Sequence, residues 1–252
     1  MKIVFSETSS AHKSEIINII KDFEVKGENI YGGSRNTIKT YDVGDIVINV
    51  KSFKIPNLIN QIAYRFFRKS KAQRSFEYAE KLQSLNIGTP QPIAYFENSS
   101  FLFFKDSFYV SEHLQADITY RELTKDFNYP NHEEILRAFT RFTFKLHENK
   151  VLFLDHSPGN TLIKLNNGDY KFYLVDLNRM NFKNLSLDER IKNFARLTSS
   201  KKIVAIMSKE YARLINKPQE EIYQKMWQYT SEFQEKFYRK KRLKKSLKFW
   251  KS

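Results

Sequence analysis

The chain has 252 residues, 43 basic against 28 acidic, and a net charge of +15. A hydrophobic share of 41%, with 22 Phe and 14 Tyr, suffices for a packed core in one large or two small domains. Cys is absent, which excludes a disulfide framework, a Cys-bearing zinc site and a thiol nucleophile.

No apolar run reaches the ~20 residues that span a bilayer. The start, Met1-Lys2-Ile3-Val4-Phe5, turns polar at Ser6-Glu7-Thr8 and does not read as a signal peptide. The expectation is a soluble or peripheral protein in a reducing compartment. Such a basic balance favours anionic partners, a membrane surface or nucleic acid.

In chain order, strands are expected at Ile3–Phe5, Thr37–Tyr41 and Ile46–Val50, with a helix over Ala11–Phe23. Between the first strands lies Tyr31-Gly32-Gly33-Ser34-Arg35-Asn36, either an ordinary hairpin loop or a place where Gly33 amides and Arg35 approach phosphates. It lacks G-x-G-x-x-G spacing. Lys51 closes an apolar strand, with Lys54 as its rival for a phosphate contact. From Asn57 the apolar recurrence Leu58, Ile59, Ile62, Ala63, Phe66, Phe67 marks a helix face that ends in Arg65, Arg68, Lys69, Lys71 and Arg74. Core packing with a solvated cationic end and contact with an anionic ligand or membrane are both open readings.

Ala72–Leu85 reads as a helix, on which Glu77 could pair with Lys51. Pro90 and Pro92 follow its end, and strands are expected at Ile93–Glu97, Phe101–Phe104 and Ser107–Glu112. Asn131-His132-Glu133-Glu134 looks like a capping box opening a helix with Ile135, Phe139, Phe142 and Leu146. That helix leads to Phe153-Leu154-Asp155-His156-Ser157-Pro158-Gly159-Asn160. Strands over Thr161–Leu165 and Lys171–Val175, joined by Asn166-Asn167-Gly168-Asp169, form a hairpin that ends at Asp176.

Asp, Pro and Asn in a D-x-x-P-x-N run, a hairpin and a hydrophobic-Asp turn is the order of parts that kinase-like phosphotransferases use. The first Asp serves the attacking hydroxyl, while Asn and the second Asp offer oxygens to Mg²⁺, a hard cation that takes few protein ligands. Each residue alone is an ordinary turn former; the combination is the signal. His147 and His156 lack a matching His or Cys cluster and are read as structural or solvent-facing. Helical segments follow over Ser186–Thr198, Ile203–Ile215 and from Gln219 onward.

Lys236–Ser252 holds nine Lys or Arg in seventeen residues and no acid, with Leu243, Leu247 and Trp250 at helical spacing. A membrane-surface anchor, an RNA-binding tail and a solvated tail are the three readings. No RNA- or DNA-binding motif accompanies the charge, which ranks nucleic acid last.

Lys51-Ser52-Phe53-Lys54, Ser70–Glu77, Gly88-Thr89-Pro90-Gln91-Pro92-Ile93-Ala94-Tyr95 and the Asp155 and Asp176 motifs together resemble the lipopolysaccharide kinase family, particularly its Kdo kinases. The resemblance spans roughly Gly32 to Phe182. It implies an α+β, two-lobed, protein-kinase-like fold, with an N-lobe antiparallel sheet and helix over 1–114, a mostly helical C-lobe over 115–235 and a basic amphipathic tail over 236–252. It further implies ATP and Mg²⁺ as cofactors. Lys51 would contact the phosphates and Glu77 would hold it; Gly33 and Arg35 would lie by them. Glu112-His113-Leu114 would be the crossing between lobes that meets adenine. Asp155 would be the catalytic base, and Asn160 and Asp176 the metal ligands.

The implied acceptor is a Kdo hydroxyl of a lipid A precursor. The implied place is the cytoplasmic face of the inner membrane, reached through Arg65–Arg74 and the tail. A kinase acting on a protein or a small soluble molecule, and a non-catalytic basic scaffold, are the alternatives. Phe153-Leu154 in place of His-Arg, Ser157 in place of Lys, and Asn178 in place of Gly depart from protein kinases.

Overall fold

The structure is a computed structural model that describes residues 1–7, 12–32, 36–166 and 168–249. The chain divides into two compact units, Met1–Gln115 with Leu174–Arg179, and Ala116–Tyr173 with Met180–Ser252.

The first unit is built on a six-stranded sheet in the order β1-β5-β6-β4-β3-β2, antiparallel at every junction. Its strands are β1 (Lys2–Phe5), β2 (Glu28–Gly32), β3 (Asn36–Val43), β4 (Ile46–Phe53), β5 (Pro92–Ser99) and β6 (Phe104–Glu112). Three helices belong to it, α1 (Lys13–Lys21), α2 (Leu58–Phe66) and α3 (Lys71–Ser84). The β3–β4 hairpin closes from the pair Val43↔Ile46 through Gly44, whose φ of 58° is the left-handed value a tight turn requires.

Successive residues of a strand face opposite ways, and β4 accordingly serves two separate cores. Ile48 and Val50 enter a core with Ile16, Ile20 and Phe23 from the α1 region. Phe53, of opposite parity, packs with Ala72, Phe76 and Tyr95 on the α3 side. Each fully buried side chain of this size contributes roughly 1.5–3 kcal/mol. Lys39 is buried at the end of α1, its Nζ donating to the Phe23 carbonyl at 2.6 Å and the Lys26 carbonyl at 2.9 Å. These carbonyls belong to the turn that follows α1, and bonding to them offsets part of the cost of burying the ammonium.

The second unit carries β7 (Ile118–Thr119), α4 (Tyr120–Lys125), α5 (His132–Glu148), β8 (Val151–Phe153), β9 (Thr161–Asn166), β10 (Asp169–Leu174, whose last residue belongs to the first unit) and β11 (Met180–Phe182). Helices α6 (Leu187–Lys192), α7 (Lys201–Leu214) and α8 (Gln219–Phe249) complete it. Strands β10, β9 and β7 form one small sheet, and β11 pairs with β8 through Met180↔Phe153 and Phe182↔Val151. Its core centres on α5: Ile135, Leu136 and Phe139 are buried with Met207 and Tyr211 of α7 and Ile222 and Met226 of α8. Tyr120 lies against Phe139 with ring centroids 4.2 Å apart.

Three local expectations change. Asn131 does not cap α5: it sits at φ 57° with no side-chain cap bond. Reciprocal capping boxes occur instead at Thr119/Glu122 and Ser186/Glu189, where the Ncap backbone is extended as the motif needs. Phe101–Phe104 is not a separate strand, because β6 begins at Phe104 and the exposed Phe101 and Leu102 belong to the turn after β5. Helix over Ser186–Thr198 stops at Lys192.

The segment from Lys236 is the continuation of α8, which runs unbroken to Phe249. Ile222, Met226 and Thr230 are buried near its start, while Phe237, Tyr238 and Leu243 are exposed further on. The Leu247 side chain and Trp250 lie outside the described residues. Among the described residues no helix is long and apolar enough to cross a membrane.

Candidate active site

In the first unit, β4 delivers Lys51. The strand's alternation puts Lys51 on the same side as Phe53, and the residue is only 9% exposed. Its Nζ donates to Asp176 Oδ1 at 2.6 Å, a pairing across 125 positions of sequence. Lys54, the rival candidate, is exposed beyond the end of the strand. Asp176 is fixed by the residues before it: the Leu174 amide donates to the Gly88 carbonyl at 2.9 Å, and Thr89 Oγ1 donates to the Leu174 carbonyl at 2.9 Å. The Gly88-Thr89 step thus grips the end of β10 and sets where the turn begins.

Asp176 holds φ 59°, in the left-handed region. For a residue with a Cβ this costs about 1 kcal/mol, and such residues cluster at functional sites. Asn178, 8% exposed, donates Nδ2 to the same Asp176 Oδ1 at 2.6 Å. Asn at the position where protein kinases carry Gly is therefore a second hydrogen bond that orients the carboxylate. In the sequence Asn178 stands out only as a departure from protein kinases.

Glu77 takes a different partner from the one expected. Its carboxylate accepts from Lys69 Nζ at 2.7 and 3.0 Å and from Gln73 Nε2 at 2.9 Å. The reason is local, since Gln73 lies one helical turn before Glu77 and Lys69 just precedes the Ser70 cap of α3. Lys51 pairs with Asp176, and the Lys51–Glu77 pair is replaced. Gly33 and Arg35 lie outside the described residues. Glu112 ends β6 opposite Ile48; its amide donates to the Gln91 carbonyl and that of His113 to the Val47 carbonyl. Those two amides are committed within the unit.

In the second unit, β8 leads into Asp155. Asp155 Oδ1 accepts from Arg196 Nη1 at 2.7 Å, and the same nitrogen lies 3.0 Å from the Leu154 carbonyl. The Arg196 guanidinium also lies over the Phe233 ring, 5.7 Å from its centroid. Arg196 is the residue that sequence reasoning misses. It lies 41 positions from Asp155, after α6, with no motif around it. Asn160 Nδ2 donates to the Asp155 carbonyl at 2.8 Å, so the loop folds back on itself and the amide is anchored by its nitrogen.

Below the loop, Asn193 Nδ2 donates to the Phe153 carbonyl at 2.8 Å, and Asn193 Oδ1 lies 3.2 Å from His147 Nε2. His147 Nδ1 lies 2.8 Å from the Tyr211 hydroxyl. With Asn193 Oδ1 an acceptor, the bonding assigns the proton of a neutral His147 to Nε2 and makes Tyr211 the donor to Nδ1. Burial pushes His147 down to about 4. His156 is 1% exposed among Phe139, Phe153 and Phe194, and burial pushes it down to about 3. Both are structural, neutral imidazoles.

The sign of the resulting pH dependence is fixed. An unfolded chain protonates these histidines below about pH 6.5 while the native state resists, so stability present above that pH is lost as pH falls towards 4. The slope is about 1.4 kcal/mol per pH unit for each histidine. His156→Leu, which keeps the apolar surroundings filled, is expected to retain Tm at pH 8 and lose less of it between pH 6.5 and 5. Identical Tm-versus-pH curves for the two proteins would contradict this.

Asp176 of the first unit and Asn160 of the second are donors whose chemistry can each be compared with what Mg²⁺ takes. Asp176 supplies a carboxylate whose bonds to Lys51 and Asn178 both use Oδ1, and Asn160, held through Nδ2, has its oxygen as the group to offer. Hard oxygen donors, few in number, suit a cation that keeps waters and phosphate oxygens as its other ligands. Each of the two donors, taken by itself, is of the kind the ion takes.

A family model described as the lipopolysaccharide kinase (Kdo/WaaP) family matches residues 55–217. No match was found among curated proteins. A solved structure described as WaaP in complex with acyl carrier protein is similar to this chain, with TM-score 0.64 and 16% identity over 94% of this chain and 98% of that one. At that identity the likeness is one of fold. It establishes the kinase-like architecture, an antiparallel sheet with helices in one unit and a mostly helical second unit.

Proposed function

The chain belongs to the lipopolysaccharide kinase (Kdo/WaaP) family, and on that premise we propose that it transfers the γ-phosphate of ATP to a Kdo hydroxyl of the lipid A–core region. Membership makes it a kinase-type phosphotransferase of lipopolysaccharide synthesis; the nucleotide, the sugar and the place of action belong to the proposal. The observation that carries it is the contact of Lys51 with Asp176 at 2.6 Å. A strand lysine and the carboxylate of a hydrophobic-Asp turn are brought together across 125 positions of sequence, and the carboxylate is held in a left-handed backbone.

In this reading Lys51 would offset charge on the ATP phosphates, and Asp176 and Asn160 would be the residues that hold Mg²⁺. The ion, when bound, neutralises charge on the transferring phosphoryl group. Asp155 accepts the proton of the sugar hydroxyl or aligns it for attack. Arg196 fixes the Asp155 carboxylate through Oδ1, so it acts as a positioning residue. Glu112 marks where the chain would meet adenine, and Gly33 and Arg35 would lie by the phosphates. In this reading the acceptor is a glycolipid and the enzyme works at the cytoplasmic face of the inner membrane. The cationic stretch Arg65–Arg74 and the basic end of α8 suit such an anionic surface.

The test is mass analysis of purified Kdo–lipid A precursor after incubation with the protein and ATP–Mg²⁺. The expected result is a gain of one phosphate on the Kdo fragment. Phosphate appearing on a protein or a soluble sugar while the lipid stays unchanged would overturn the acceptor.

A further inference from the structure

We propose that α2 and the adjoining β5–β6 turn form a docking surface for an anionic phospholipid bilayer, into which Phe66, Phe67 and Phe101 insert. The inference rests on the reading of a membrane-borne acceptor for its purpose, but on the geometry of the first unit for its content.

The apolar face of α2 is turned to solvent. Leu58, Ile62 and Phe66 follow one another every fourth residue along the helix, and all three are exposed. Ile59 is 79% exposed and Phe67, at the C-cap, 82%. No residue of α2 is buried. The contacts that hold the helix are made by other groups: Tyr64 packs on Phe104 at 5.7 Å between ring centroids, and Gln61 Nε2 donates to the Pro56 carbonyl at 2.9 Å. Arg65 Nε lies 3.2 Å from the Ser100 carbonyl and 3.4 Å from that of Phe101, which ties α2 to a turn whose Phe101 is 85% exposed. Isolated exposed hydrophobics are ordinary; a contiguous set of this kind marks an interaction surface.

Charge identifies the occupant. From Lys51 to Phe76 the sequence holds no acidic residue; Arg65 lies on the exposed helix, Arg68 just after it, and Arg74 in the first turn of α3. Arg65 lies 5.4 Å from the Phe66 ring centroid and Arg68 5.9 Å from that of Tyr64, so aromatic and guanidinium groups are interleaved. Aromatic and aliphatic side chains that enter the acyl boundary, with guanidinium groups at phosphate level, are what an interfacial helix presents. A second copy meeting this face about a two-fold axis would set these cations against their own images. An anionic lipid surface complements both the apolar and the cationic parts.

Because the chain has no cysteine, Phe67→Cys in the 252-residue chain takes a single environment-sensitive dye. The probe is a vesicle of phosphatidylcholine with phosphatidylglycerol, without ATP or sugar acceptor, so the result does not depend on the kinase reading. A blue shift on these vesicles is expected, with none for the same dye at Val25→Cys, an exposed site elsewhere in the unit. Ile59→Asp with Phe66→Asp is expected to lower vesicle binding about tenfold and to leave ATP binding unchanged. Arg68→Glu is expected to weaken binding and reduce its salt dependence. Vesicle binding through α8 without a shift at position 67 would overturn the proposal. So would a shift that needs no vesicles and grows with protein concentration.

Discussion

Asp155→Asn is expected to lower phosphoryl transfer by about 10²–10⁴-fold, the range that removal of a positioned general base produces, with the Kd for ATP–Mg²⁺ near that of the wild type. The substitution keeps the shape and the hydrogen bond from Arg196 to an oxygen at that position. It removes the negative charge that a hydroxyl proton would be drawn to. Arg196→Ala separates the two contributions. It leaves the carboxylate but removes its fixed partner, so turnover is expected to fall by less than in Asp155→Asn and to be partly restored by Arg196→Lys. Single-turnover kinetics with calorimetric ATP binding read both effects. Near-normal turnover in Asp155→Asn would show that the assigned role is wrong.

Asp176→Ala and Lys51→Met are expected to lower turnover steeply by different routes and to differ in stability. Asp176→Ala removes the one carboxylate in the proposed metal set, and removal of a single stabilising group typically costs about 10²–10³-fold in kcat. It also strands the Lys51 ammonium, 9% exposed, without its partner. Breaking a fully buried pair costs about 3–5 kcal/mol. The Asp176 side chain is 34% exposed, so solvent screening reduces this to roughly 1–3 kcal/mol. Lys51→Met leaves the more exposed partner behind, with Asn178 still bonded to it, and puts an apolar side chain in the more buried position. Chemical denaturation should therefore rank wild type and Lys51→Met close together and Asp176→Ala clearly lower. The reverse order would mean that the lysine does not depend on the aspartate for its burial.

Much of this arrangement is legible in the residues alone, and the reasons are physical. β4 alternates strictly, so Lys51 has to share a face with Phe53. The β9–β10 hairpin announces itself through a Gly in the turn, and Gly168 takes φ 91°. The D-x-x-P-x-N run compresses two functional side chains and their turn into six residues, which no distant contact is needed to reveal. The features that escape a reading of the sequence are non-local or competitive. Arg196 reaches Asp155 by tertiary packing, and nothing near it in sequence records that. The order of parts in a kinase assigns Glu77 to Lys51, but a helix neighbour and a lysine at the helix start are closer partners. Asn131 has the composition of a capping box but not its backbone. The apolar stripe of α2 is legible as periodicity, whereas periodicity cannot say which face is turned to water.

Whether this chain is a working kinase, and not a basic scaffold that kept the fold, is tested most directly by calorimetric titration. The 252-residue chain is titrated with ATP in Mg²⁺ and again with excess EDTA. Binding is expected to depend on Mg²⁺ in the wild type, to persist in Asp155→Asn and to be lost in Asp176→Ala. Absence of ATP binding by the wild type in Mg²⁺ would contradict the kinase assignment.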